Sequence, residues 1–161
     1  MTAGRRVPTW LRYALRLPVH LYAHGLGGLL GRRFLQLTHV GRTSGRRYHT
    51  VLEVVRYDPA AGEAVVVSGF GARADWLLNV QAARTVEVII GRRSFTASHR
   101  TLPPDEAAEV LADYERRNRL AAPVVRLVLT RLVGWRYDGS PQARARLVRQ
   151  LPFLAFRPAA E

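Results

Sequence analysis

The sequence predicts an α+β, mainly β fold: a closed antiparallel sheet with helices before it, one helix inserted after its third strand, and helices after it. Three observations predict this. The hydrophobic period shortens at residue 34 and stays short to 101, turns bearing Gly or Pro punctuate that stretch, and helical spacing brackets it on both sides. The 161 residues are long enough to bury a core and read as one domain. Its parts are a basic amphipathic helical N-terminus (1–33), a barrel core (34–101) and a mainly helical C-terminal part (102–161).

Pro8 opens the first helix, carrying Trp10, Leu11, Tyr13, Leu15 and Leu17 with Arg12 and Arg16 between them. Pro18 begins a second, through His20, Leu21 and Tyr22. Pro, His and Gly interrupt this region too often for the roughly 20 apolar residues that a bilayer span needs. It also lacks the uninterrupted apolar stretch of a signal peptide. The segment is expected either to cover one end of the barrel or to lie on an anionic membrane surface.

Phe34–Val40, Tyr48–Tyr57 and Ala64–Ser68 read as strands rich in Val, Leu and aromatics. Asp58-Pro59-Ala60-Ala61-Gly62 joins the last two as a hairpin turn. After the Ser68-Gly69-Phe70-Gly71 loop, Asp75–Gln81 is a short helix with Asp75 as its expected N-cap. Val86–Ile90 and Phe95–Thr101 form a further hairpin across Gly91-Arg92-Arg93. Pro103-Pro104-Asp105 then starts a helix whose apolar face is Ala107, Ala108, Val110, Leu111 and Tyr114. The next helix, from about Pro123 to Leu132, is apolar on most sides, so it should be buried or docked against something apolar. A helix around Gln142–Gln150 and a short run at Phe153–Phe156 close the chain.

The formal net charge is +13, and all 25 basic residues are arginine. Nine arginines precede Glu53, the first acidic residue. A one-sign block of that length suits a polyanionic partner, either a cofactor tail or anionic lipid. Interleaved aromatics and a recognition-helix pattern are lacking, so no nucleic-acid partner is expected. The absence of cysteine removes disulfides, zinc–thiolate sites and thiol nucleophiles. It also fits a reducing, cytoplasmic setting.

Hydrolytic chemistry finds little support. His20 and His24 share a helical face but have no HExxH glutamate or third ligand, so no metal site is expected. Ser44 and Ser68 lack the GxSxG context, carboxylates are scattered, and neither a Walker motif nor GxGxxG occurs. Gly41-Arg42-Thr43-Ser44-Gly45-Arg46-Arg47 is different: two glycines bracket two hydroxyls and an arginine, with two more arginines beyond. Close backbone approach, hydroxyls and guanidinium forks together make a seat for phosphate or carboxylate, and a plain hairpin turn satisfies the same residues. His39 and His49 flank the turn and are read as structural or as anion contacts. The loop at 68–73 offers a second glycine-rich backbone with Ser68 and Arg73. Trp76 and Asn79 follow, three apart on one helical face; Trp76 alone reads as core. Two donor-rich glycine loops and an aromatic suit a large, flat, phosphorylated ligand of the flavin type.

Residues 35–101 resemble the deazaflavin-dependent nitroreductase and quinone-reductase family, a split antiparallel β-barrel related to FMN-binding oxidases. The resemblance rests on Leu37-Thr38-His39-Val40-Gly41-Arg42-Thr43-Ser44-Gly45-Arg46-Arg47, Val67-Ser68-Gly69-Phe70-Gly71 and Ala74-Asp75-Trp76-Leu77-Leu78-Asn79-Val80, with Val86-Glu87-Val88 at the expected distance. The Leu151–Pro158 tail is similar to that of the family's longer members. Thr43 and the Gly69-Phe70 pair stand where relatives commonly carry lysine, and Glu53 where some carry a tyrosine.

The resemblance implies coenzyme F420, a deazaflavin bearing a phosphate and an oligoglutamate tail. It assigns Gly41, Arg42, Thr43, Ser44, Gly45, Arg46 and Arg47 to that phosphate and tail, and Thr50 and Val51 to the ring edge. Ser68, Gly69, Phe70, Gly71, Arg73, Trp76 and Asn79 would complete the cofactor site, with Ser68 as the catalytic hydroxyl. The implied reaction is hydride transfer from reduced F420 to a quinone, nitroaromatic or activated alkene. An FMN enzyme on the same barrel and a non-catalytic cofactor or membrane-surface binder are the rival readings. A homodimer is compatible with each.

Overall fold

The computed structural model describes residues 31–160. The two expected N-terminal helices, with His20 and His24, lie outside the described residues. Six strands form a closed antiparallel barrel: β1 (Phe34–Val40), β2 (Arg47–Asp58), β3 (Glu63–Val67), β4 (Thr85–Ile90), β5 (Arg93–Thr101) and β6 (Phe153–Pro158). Around the barrel the order is β1-β2-β3-β6-β5-β4, and β1 pairs with β4 to close it. Helix α1 (Asp75–Gln81) follows β3; α2 (Pro104–Arg117), α3 (Ala122–Val133) and α4 (Pro141–Gln150) lie between β5 and β6.

Residues alternate across two cores. Leu35, Leu37, Val66, Val88, Leu154 and Phe156 fill the barrel interior with Trp76, Leu77 and Val80 of α1. Val65, Phe153 and Ala155 point the other way and pack against Leu111, Leu147 and Leu151 from the C-terminal helices. β3 and β6 are therefore buried on both faces, and each fully buried Leu, Val or Phe contributes about 1.5–3 kcal/mol of transfer free energy. α1 packs into the barrel through its apolar side, which fixes where its polar residues emerge.

Two expectations need correction. Phe153–Phe156 belongs to the strand between β3 and β5 and pairs with both, so the barrel extends beyond the 34–101 core expected. Asp75 is the first residue of α1 and not its cap; Ala74 occupies the cap position without a side-chain bond. The Asp75 carboxylate instead pairs with Arg42 at 3.3 Å. Helix α3 docks on the outer core through Leu129 and Leu132, as its composition leads one to expect, while Val133 is its one buried residue. Leu120, Val124 and Leu127, spaced as one stripe, are 95%, 63% and 50% exposed.

Outside the barrel, Arg56 of β2, Glu63 of β3, Arg100 of β5 and Glu106 of α2 form one ion network. Arg100 reaches Glu106 at 2.8 Å and Glu63 at 3.2 Å, and Arg56 reaches Glu106 at 3.3 Å. It ties three strands to the first C-terminal helix.

Candidate functional site

The β1–β2 turn is closed by Gly41 N–H donating to Arg46 O (2.8 Å) and Gly45 N–H donating to Gly41 O (2.9 Å). Gly45 has a φ of +66°, a left-handed conformation that costs a side-chain-bearing residue about 1–2 kcal/mol. Gly41 is required for space: a Cβ there would overlap Ser44 Oγ and stand 2.8 Å from Tyr48 Cε2. Ser44 Oγ and Tyr48 OH are hydrogen-bonded at 3.1 Å. The turn is thus a tight shell of glycine, hydroxyl and guanidinium.

Helix α1 holds this shell from below. Asn79 Oδ1 accepts from the Arg42 backbone N–H and from its guanidinium, both at 3.0 Å. Asn79 Nδ2 lies 3.1 Å from His39 Nδ1, and His39 Nε2 lies 3.0 Å from Thr50 Oγ1. The His39 and Tyr48 rings stack with centroids 5.8 Å apart. His39 is 5% exposed; burial, aided by nearby His49, pushes its pKa below the ordinary histidine value. Both causes favour the neutral ring.

Above these residues opens a cavity of about 690 Å³. Of the residues expected at a cofactor site, it is lined by Gly41, Arg42, Thr43, Ser44, Thr50, Phe70, Arg73, Trp76 and Asn79. His39, Tyr48, His49, Ala74 and Asp75 complete the lining. One end carries guanidinium, hydroxyl and backbone donors, and the aromatic rings of Trp76 and Phe70 stand with them. Trp76 serves both readings, since it is also part of the barrel core. Tyr48 escaped the sequence reading, although hairpin pairing about the 41–46 turn places it opposite His39.

Other expected residues lie elsewhere. Gly45, Arg46, Arg47, Val51, Ser68, Gly69 and Gly71 are not part of the cavity lining. Arg47 pairs with Glu87 of β4 at 2.6 Å, and Arg46 is exposed on the turn. Gly69 sits against Leu132 of α3. Ser68 has no accessible surface. Its hydroxyl donates to Gly71 O at 2.7 Å, and its N–H donates to Pro152 O at 2.9 Å. The hydroxyl expected to act on a ligand is a clasp inside its own loop.

A second, smaller cavity of about 280 Å³ lies between the barrel and the C-terminal helices. Val55, Val67, Leu111, Val128, Leu132 and Phe153 make it apolar. At its polar edge Tyr114 OH donates to Glu53 Oε1 at 2.8 Å. Leu132 faces this cavity while abutting Gly69, the neighbour of Phe70 in the first cavity.

Residues 14–125 match the family model described as F420H(2)-dependent quinone reductase. The chain belongs to this family. Members are oxidoreductases, so this barrel carries F420-linked hydride transfer with coenzyme F420 as cofactor and a small molecule as acceptor. Among solved structures, a protein of unknown function from Agrobacterium tumefaciens is similar at 15% identity and TM-score 0.54, covering 99% of this chain and 58% of its own. HutZ, the heme storage protein from Vibrio cholerae, is similar at 13% identity and TM-score 0.52, covering 88% and 92%. Both share the fold. An F420-H2 dependent reductase (FDR-A) is similar at 19% identity and TM-score 0.48, covering 79% and 96%. No curated protein matches the chain.

The larger cavity fits the family's cofactor on chemistry. A phosphorylated, anionic ligand needs N–H and O–H donors and cations; Arg42, Thr43, Ser44 and Arg73 supply them. A flat ring needs aromatic neighbours, which Trp76 and Phe70 supply. Among the described residues no cluster of His, Asp or Glu could hold a metal, and no helix is long and apolar enough to cross a membrane.

Proposed function

We propose that the cavity beneath the 41–46 turn is the coenzyme F420 site, with the phosphate-bearing end at the turn and the ring toward Trp76 and Phe70. The observation that carries this reading is the doubly anchored Arg42. Asn79 holds both its backbone N–H and its guanidinium at the cavity edge, so it meets an anion with little ordering left to do. Ser44 and Thr43 add hydroxyls, and Arg73 adds a second cation to the lining. When bound, the reduced deazaflavin supplies the hydride, delivered from its C5. The protein's part is to bind, orient and exclude water; no cavity-lining side chain among the described residues has to serve as an essential acid.

The acceptor is proposed to be a quinone, with nitroaromatics and activated alkenes as further substrates. The apolar cavity behind the Ser68–Gly71 loop supports an acceptor with a large apolar part. The exposed Leu120, Val124 and Leu127 stripe, with Arg119, Arg126 and Arg131 on the same helical stretch, supports collection of that acceptor from an anionic membrane surface.

Titration with F420 followed by tryptophan quenching tests the cofactor site, with FMN in parallel. Micromolar or tighter F420 binding that weakens in Arg42→Ala and with salt is expected. Preference for FMN, or affinity indifferent to Arg42→Ala, would refute the assignment. Oxidation of reduced F420 by quinones, nitro compounds and enones, followed optically, then ranks the acceptors.

A further inference from the structure

The hydrogen bonds beneath the cavity have a forced direction. Arg42 can only donate, through its backbone N–H and its guanidinium, so the Asn79 atom that receives both bonds is the carbonyl oxygen. The other Asn79 atom is then the amide nitrogen, a donor, and it faces His39 Nδ1. Nδ1 must accept, so the ring proton sits on Nε2 and is given to Thr50 Oγ1. Thr50 Oγ1, already accepting, has one proton of its own and no other partner among the described residues. Thr50 lines the cavity.

We infer that His39 is a positioning residue which, held by Asn79, makes the Thr50 hydroxyl a fixed hydrogen-bond donor to the ligand in the cavity. The matching ligand group is an acceptor atom, an oxygen or an unprotonated ring nitrogen, and a ring N–H is disfavoured at that point. This rests on the reading of the cavity as the coenzyme's site. The chain of donors starts at Arg42, so the anion clamp and the ring-side donor are two ends of one rigid array. A second proton on His39 reverses the logic: Nδ1–H would confront the Asn79 amide nitrogen, and turning the amide over would set its nitrogen against Arg42. The groups able to bias that protonation are His49 and Arg47 on β2, Glu87 on β4, and Arg42 with its partner Asp75 at the turn and α1.

Two measurements on the full chain test the inference. Nitrogen-15 spectra of the histidine rings, taken without ligand above pH 7, should show His39 protonated at Nε2 and bare at Nδ1. A proton on Nδ1 would overturn it. Titration with oxidised F420 should show Thr50→Val weakened about tenfold, with Thr50→Ser recovering most of the loss. Equal affinities for Val and Ser would overturn the role of the hydroxyl. Wild-type affinity should fall as the pH drops below 6.5 through the lowered His39 pKa, and His39→Phe, which keeps a ring on Tyr48, should be weaker at neutral pH and lack that step. Ionisation of the coenzyme is common to both proteins, so a matching step in His39→Phe counts against the inference. Failure of the wild type to bind F420 would instead sink the cofactor site and Thr50's ligand role with it, while the ring spectra still decide the tautomer.

Discussion

Asn79 Oδ1 binds Arg42 twice, through the backbone N–H and the guanidinium, each at 3.0 Å. One amide oxygen on α1 thereby fixes both the turn backbone and the side chain that reaches toward the cavity. Asn79 is 6% and His39 5% exposed, so truncation leaves the buried His39 Nδ1 without its donor, at a cost of about 1–3 kcal/mol. Asn79→Ala should therefore lower stability to denaturant by about 2 kcal/mol and weaken F420 binding about tenfold. Denaturant melts and coenzyme titrations check the two effects separately; full coenzyme affinity in this variant would mean the clamp does not prepare Arg42.

Asp75 works against the same anion site. Its carboxylate pairs with Arg42 at 3.3 Å while remaining 88% exposed, so it competes with any incoming phosphate for one guanidinium. An exposed pair of this kind contributes at most about 1 kcal/mol to stability. Asp75→Asn should leave the melting curve almost unchanged and tighten F420 binding several-fold, with the gain shrinking as salt rises. Weaker binding in this variant would show that Asp75 orients Arg42 more than it opposes the ligand.

The barrel was readable where a strand has one wet face and hidden where it has none. β1 and α1 emerge with the bounds expected from periodicity, because polar residues interrupt their apolar ones. Phe153–Phe156 is four apolar residues in a row, and a strand buried on both faces has no alternation to show. Its place between β3 and β5 depends on the whole barrel closing. α3 shows both sides of its composition, docking on the outer core through Leu129 and Leu132 while Val124 and Leu127 face outward. At the site, local motifs supplied the turn, Trp76 and Asn79. The Arg42–Asn79 and Asn79–His39 bonds span 37 and 40 residues, and no local pattern encodes them. Ser68 shows the limit of a local motif, because a glycine-flanked hydroxyl looks like a ligand group whether or not its own loop takes up the proton.

Ser68→Ala separates those two roles. The structure has the hydroxyl donating to Gly71 O at zero exposure, so its removal should cost about 1 kcal/mol of stability. Turnover should fall only modestly, through a looser Phe70 lip. A large fall in kcat at unchanged stability and coenzyme affinity would restore Ser68 as a catalytic hydroxyl, after a loop rearrangement on binding.

The network joining the barrel to α2 gives a pH signature distinct from that of the site. The Arg100 guanidinium, with Arg56 behind it, holds the Glu106 carboxyl below its ordinary value of 4.5. A carboxylate depressed in the folded state adds stability that is complete above its unfolded value and is lost as pH falls through the folded one. Wild-type stability should therefore decline below about pH 4.5. Because Arg100 is 41% exposed, solvent screening limits the contribution at neutral pH to about 1 kcal/mol. Arg100→Gln should lose that amount at pH 7 and show a shallower decline in acid, since Glu106 then titrates nearer its unfolded value. Denaturant melts across pH 3–7 follow both curves. A variant that parallels the wild type at every pH would assign the acid sensitivity to other groups and leave the ion network without a part in it.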